Sequence, residues 1–196
     1  CTLPVSNNME VYTETEEIKE ARKTILELLL VNYNGPLTPE NGKPNYFLKL
    51  CQDYNVNVLL KMRKEPKYVV DSDPNPFIRV DLNQCILCTR CIRACAEIQG
   101  RFVWGLANRG IENQIIAGSG VPLLQARCES CGACVDYCPT GALTHKPSFG
   151  VPSPEKKVLT TCSYCGVGCN FDLNVIEDEV VNITPNPHAA VNGKHL

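Results

Sequence analysis

The apolar positions follow two periods in succession. Near the N-terminus, Ile18, Ala21, Ile25, Leu28 and Leu29 recur at helical spacing, which predicts a helix running to about Asn32 with that stripe turned to a core. Thr13-x-x-Glu16 reads as its capping box, and Asn34-Gly-Pro36 as its stop. Residues 1–12 read as a loop followed by a short strand. Gly35, Pro36, Pro39, Gly42 and Pro44 predict a loop over 33–45. A second, short helix from about Tyr46 to Tyr54 then groups Phe47, Leu50, Cys51 and Tyr54.

Past a charged, proline-bearing linker at 61–76, the pattern changes to short β-prone runs. Phe77–Val80 reads as a strand, and Phe102–Ala107 with Gln114–Ala117 as a hairpin around Asn108-Arg-Gly110. Gly141–Thr144 reads as a closing strand. Pro147, Gly150, Pro152 and Pro154 mark the clearest boundary, at 146–157. Beyond it, Val158–Thr161 predicts a strand, and Phe171–Ile176 and Val180–Thr184 alternate around Glu177-Asp-Glu179 as a second hairpin. The whole predicts an α+β chain in three parts, 1–65, 66–150 and 151–196.

The chain has 196 residues and a formal charge of −2, which gives no reason to expect nucleic acid or an anionic membrane as partner. Its longest apolar run, Ile25–Val31, is interrupted by Glu27 and too short for a membrane span. No basic stretch precedes an apolar one at the start, so no signal peptide is expected, and the cytoplasm is the expected location. The first residue is Cys1 and the last residues, Asn192 to Leu196, close no element, so an internal piece of a longer polypeptide is expected.

Cysteine changes the picture most, with 13 in the chain. Cys85-x2-Cys88-x2-Cys91-x3-Cys95 is repeated as Cys128-x2-Cys131-x2-Cys134-x3-Cys138, the second run followed by Pro139 and the first by Ala96. This is the spacing of bacterial two-cluster ferredoxins, in which the fourth cysteine of each run ligates the other cluster. A tight turn wraps three thiolates around one face of a 4Fe–4S cluster and a distant cysteine closes it. The expected sets are Cys85, Cys88, Cys91 and Cys138 for one cluster, and Cys95, Cys128, Cys131 and Cys134 for the other. Ligands at loop–helix junctions place a helix at Cys91–Gln99. The alternatives are a pair of four-cysteine zinc sites, which more often pair two CxxC motifs across a longer spacer, and a disulfide lattice, which nothing secretory supports.

A third group, Cys162-x2-Cys165-x3-Cys169, supplies three thiolates where a cubane needs four. The fourth place is open to a labile iron site, to His188 or His195 in a three-cysteine zinc site, or to a cysteine past Leu196, the expectation preferred here. Gly166 and Gly168 would let the backbone pass close to a cluster with N–H groups aimed at its sulfurs. His145, His188 and His195 otherwise read as exposed polar residues, and Cys51 as a small buried hydrophobe.

These motifs together resemble the N-terminal region of the molybdopterin (Mo or W) subunits of formate dehydrogenases. Cys162-x2-Cys165-x3-Cys169 before a hairpin is similar to the start of their molybdopterin domain, where a fourth cysteine follows a Gly-Lys-x-Leu stretch like Gly193-Lys-His-Leu196. The double run resembles their two-cluster ferredoxin module with an inserted hairpin. Cys1-Thr-Leu-Pro-Val5 and the following helix resemble the end of their plant-type 2Fe–2S domain, which implies Cys1 as its last ligand. That family usually holds a further cluster on one histidine and three cysteines before the double run. Here Tyr33 stands where histidine is expected and Cys51 is the only cysteine, so no cluster is expected there. Iron-only hydrogenases are similar through Cys138 but lack the Cys162 group, and the large iron–sulfur subunit of NADH–quinone oxidoreductase is similar at both ends but generally lacks two full runs in the middle, so having both features favours the formate dehydrogenase type.

The resemblance implies an electron relay serving formate oxidation or CO2 reduction at a Mo- or W-bis-pterin centre of the parent protein. The implied partners are NAD- or ferredoxin-reducing flavin and iron–sulfur subunits. No residue reads as an acid–base catalyst. The rival readings are an electron-transfer subunit of a hydrogenase or NADH dehydrogenase-like complex and, in a different class, a zinc-binding structural module.

Overall fold

The computed structural model describes residues 3–37, 45–56 and 65–193. Cys1 and His195 lie outside them. The architecture is α+β: two helices, a small module of paired strands and short helices, and a three-stranded sheet. Among the described residues no helix is long and apolar enough to cross a membrane.

Helix α1 spans Glu16–Asn32. Its cap is Thr15, not Thr13: the Thr15 hydroxyl accepts from Ile18 N–H at 3.3 Å, and Glu16 and Glu17 then sit in the first turn, where carboxylates suit the helix dipole. The expected stripe is also displaced. Ile25 and Leu28 are 56% and 64% exposed, and the buried positions are Leu26, Leu30 and Tyr33. These pack on helix α2 (Tyr46–Asp53) through Phe47, Leu48 and Cys51. Helical spacing alone allowed two adjacent stripes, and the position of α2 selects one. The expected strand before α1 does not form in residues 3–12, where Leu3, Val5, Val11 and Tyr12 are exposed.

Strand β1 (Ile78–Val80) pairs antiparallel with β4 (Leu143–His145), matching Ile78 to His145 and Val80 to Leu143. Strands β2 (Trp104–Ala107) and β3 (Gln114–Ala117) form the expected hairpin. Between the two sheets lies a core of Ile78, Val103, Trp104, Ile115, Leu123, Val135 and Leu143, closed by Cys95 and Cys134. Helix α3 (Arg90–Arg93) runs into a π-helical turn, Ala94–Ile98, and α4 (Ala133–Asp136) packs against both.

Buried polar side chains tie loops to this core. Asn75, fully buried, accepts at Oδ1 from Phe77 and Ile78 N–H, and its amide donates to Ser130 Oγ, each at 2.9 Å. The start of β1 is thereby fastened to the second cysteine loop. Asn83 accepts from Lys67 and Tyr68 N–H at 2.9 Å and donates to the Tyr68 carbonyl at 2.8 Å, holding the end of the linker.

Strands β5 (Lys156–Thr161), β6 (Asn170–Ile176) and β7 (Glu179–Pro185) make one antiparallel sheet in that order. The strand before the third cysteine group thus joins the predicted hairpin.

Leu123 is fully buried, so Leu123→Ala should cost about 2–5 kcal/mol by lost contact and residual cavity. Urea unfolding of the metal-free chain should show the lower midpoint. An unchanged midpoint would mean that the two sheets do not share this core.

Candidate metal centres

Each long cysteine run folds into the same local shape. Leu87 and Thr89 have φ of 56° and 60°, and their counterparts Ser130 and Gly132 have 55° and 77°. Two left-handed residues per loop curl three cysteines around one centre, and Thr89 and Gly132 then N-cap α3 and α4. Only Gly132 takes this conformation without side-chain cost. Leu87 and Thr89 are held in it by their surroundings. The turned backbone aims N–H groups inward: Leu87 donates to Cys85 Sγ at 3.4 Å and Ser130 to Cys128 Sγ at 3.3 Å.

The fourth cysteine of each run turns away from its own loop. Cys138 joins Cys85, Cys88 and Cys91, and these four line one cavity whose other walls include Leu82, Ile86, Ile115, Pro139 and Leu143. Cys95 joins Cys128, Cys131 and Cys134 instead: its sulfur acts on the thiols of both Cys128 and Cys134. The π-helical turn carries Cys95 there, and Val103 N–H donates to its sulfur at 3.3 Å. The two groups come within electrostatic range of each other at Cys91 and Cys134.

Burial is the largest influence on these thiols, and neighbouring sulfurs add to it. Cys85 is pushed up to about 11 by burial, with Cys138 and Cys88 contributing. Cys91 is driven higher still by burial and then by Cys85, Cys138, Cys134 and Cys88. Burial pushes Cys134 up to about 12, although a hydrogen bond from Trp104 opposes it. Burial thus keeps Cys85, Cys91 and Cys134 as thiols unless positive charge stands beside them, and a soft metal centre is the chemistry that supplies it. Among the described residues no three His, Cys, Asp or Glu side chains stand close enough to hold a single metal ion. The sulfurs of the first group instead line a cavity.

Cys162 and Cys169 sit at the facing ends of β5 and β6, joined by Cys162 N–H to the Cys169 carbonyl at 2.7 Å, with exposed Cys165 between them. Gly166 and Gly168 have φ of 73° and 82°, and a Cβ at either would meet no protein atom within 4 Å. Backbone conformation, rather than crowding by the protein, is what calls for glycine in this loop.

Elsewhere, Tyr33 is fully buried against the Phe47 ring at 5.5 Å, donates to the Pro36 carbonyl and accepts from the Asn45 amide. Cys51 is 5% exposed in the same apolar group, as its surroundings in sequence suggested. His145 and His188 are exposed, the former within 2.8 Å of Ser148 Oγ. The twelve described cysteines are all free of disulfides.

Residues 75–144 match the ferredoxin-like domain of NADH-quinone oxidoreductase subunit 3, and residues 155–196 match the molybdopterin oxidoreductase Fe4S4 domain. The two matches lie in tandem along the chain. It is 35% identical over 201 residues to the 75 kDa subunit of NADH-ubiquinone oxidoreductase of Acanthamoeba castellanii, covering 98% of this chain and 28% of that protein. It is 27% identical over 242 residues to a formate dehydrogenase candidate of Staphylococcus aureus (strain USA300), covering 98% of this chain and 24% of that protein. The chain thus spans about a quarter of the length of these relatives. In fold it is similar to a chain of an NAD+-reducing [NiFe]-hydrogenase in the H2-reduced state, with a TM-score of 0.68 at 24% identity over 77% of this chain and 64% of that one. The similarity expected to formate dehydrogenases therefore extends to NADH-ubiquinone oxidoreductase and hydrogenase chains.

In the metal-free chain, exposed Cys88, Cys131 and Cys165 should be alkylated at pH 8 at least about tenfold faster than Cys85 and Cys134, whose thiolate forms burial suppresses. Peptide mapping after brief iodoacetamide treatment measures this. Equal rates would contradict the buried arrangement.

Proposed function

We propose that Cys85, Cys88, Cys91 and Cys138 hold one 4Fe–4S cluster and Cys95, Cys128, Cys131 and Cys134 a second. Cys162, Cys165 and Cys169 supply three ligands of a third, with a cysteine beyond Leu196 as the fourth. The observation that carries this is the sorting of eight sulfurs into two groups, each taking three from one run and one from the other. When bound, a 4Fe–4S cluster takes up and returns one electron at a time. The chain's own residues set the conditions for that. They bring the two groups within electrostatic range at Cys91 and Cys134, surround them with apolar side chains, and point N–H groups at the sulfurs. The three-part division at 1–65, 66–150 and 151–196 follows the same reading.

At the finer level, this is the N-terminal iron–sulfur region of a cytoplasmic formate dehydrogenase with a Mo- or W-bis-pterin centre. Cys1 is then a 2Fe–2S ligand, and NAD- or ferredoxin-reducing subunits are the partners. The match of 155–196 and the likeness to the Staphylococcus aureus protein support it. A second reading, an electron-transfer subunit of an NADH dehydrogenase or hydrogenase complex, is favoured by the match of 75–144 and the 35% identity to the 75 kDa subunit.

Anaerobically prepared protein should be brown with about eight irons per chain from the two groups. Cys88→Ser together with Cys138→Ser should remove about half of that iron and leave the other cluster. Colourless protein with stoichiometric zinc would end the iron–sulfur reading. The full-length protein should contain molybdenum or tungsten and reduce a viologen dye with formate. Neither metal and no such activity would select the NADH dehydrogenase type.

A further inference from the structure

We propose that Asn75 is a positioning residue for the cluster on Cys95, Cys128, Cys131 and Cys134. Its amide holds Ser130 in the left-handed conformation that turns the Ser130 N–H onto Cys128, and the other cluster does not depend on it. The inference rests on the ligand assignment above. Leu87 and Ser130 are counterparts in the two loops. Their φ values are 56° and 55°, and each donates its N–H to the sulfur two residues before it, Cys85 or Cys128. For a residue other than glycine this conformation is unfavourable and persists only where the surroundings enforce it. The two loops are enforced differently. Leu87 is exposed and its side chain can take no hydrogen bond. Ser130 Oγ accepts from the Asn75 amide at 2.9 Å.

Asn75 is built to hold rather than to follow. It lies between Pro74 and Pro76, whose rings fix their own φ and keep the residue before each extended. Asp73 steadies it further: Oδ1 accepts from the Asn75 N–H and Oδ2 from the Leu123 N–H, each at 2.9 Å. The Leu123 carbonyl in turn accepts from the Cys128 N–H at 3.0 Å. The segment Asp73–Asn75 therefore grips the second loop twice, once through Leu123 ahead of Cys128 and once at Ser130. Lys146, just past β4, anchors the segment from behind, donating to the Asp73 carbonyl at 3.2 Å and pairing with Asp71 at 3.0 Å. Asn75 is fully buried. Straightening the turn at Ser130 would carry the hydroxyl away and leave a buried amide without its partner, which is costly. That penalty opposes the intrinsic preference of Ser130 to leave the left-handed region.

The test is the rate at which the anaerobically reconstituted 196-residue chain releases iron to an excess of chelator, followed by the loss of visible absorbance. Asn75→Ala should speed release of one half of the iron about three- to tenfold, the usual worth of one buried hydrogen bond, and leave the other half unchanged. With Cys88→Ser and Cys138→Ser also present, only the accelerated half should remain. Ser130→Ala removes the acceptor without touching the bonds from Asn75 to β1, so it should accelerate the same half even where Asn75→Ala folds poorly. Glycine takes a positive φ without side-chain cost. In a Ser130→Gly background, Asn75→Ala should therefore change the rate by less than about twofold. If Asn75 serves only to fasten β1, the acceleration will persist in that background or extend to both halves, and either result overturns the inference. So does an unchanged rate in both Asn75→Ala and Ser130→Ala. Failure of the ligand assignment looks different, because the unaltered chain would then lack eight irons, or the paired cysteine replacements would remove all of its iron.

Discussion

The closure of the module by β1 and β4 is the constraint on which the remaining arrangement depends. Three cysteines at x2 intervals can gather by local turning, because two left-handed residues per loop suffice. The fourth cannot, because it stands across the core from the loop it completes. Pairing Ile78–Val80 with Leu143–His145 brings the two ends of the module together and delivers Cys138 to the first loop. The β2–β3 hairpin and the π-helical turn deliver Cys95 to the second. Each sulfur group is therefore a tertiary object, and neither half of the repeat can build one alone.

The same closure explains how polar atoms are placed. The fully buried Asn75 spans from the start of β1 to Ser130 in the opposite loop, so strand pairing and loop position are set by one amide. Asn83 does comparable service for the linker, and the displaced stripe of α1 packs Tyr33, its hydroxyl satisfied, against Phe47 of α2.

The repeat also shows how near-identical motifs acquire different properties. Spacing and left-handed turns are shared by both loops. What differs is the chain packed against them: the Val103 N–H donates to Cys95 in one group, and the Thr140 hydroxyl lies beside Cys138 in the other.

Much of the site could be read directly from the chain. The eight cysteines, their division into two crossed sets, the hairpin at 104–117 and the helix at 46–53 all follow from spacing and short-range pattern, because turn chemistry and ligand geometry are local. The cap at Thr15 and the buried stripe of α1 did not follow. Thr13 and Thr15 are both acceptable caps, and two adjacent stripes of α1 are apolar, so only the docking of α2 distinguishes them. The strand expected before α1 had no edge to pair with in residues 3–12. Val103 showed no sign of its contact in sequence, because its N–H reaches the Cys95 sulfur only after the chain has folded back past the π-helical turn. Residue type and spacing determined which atoms could bind metal. Tertiary packing alone decided which N–H groups face them, since a hydrogen bond between residues distant in the chain exists only once the core has closed.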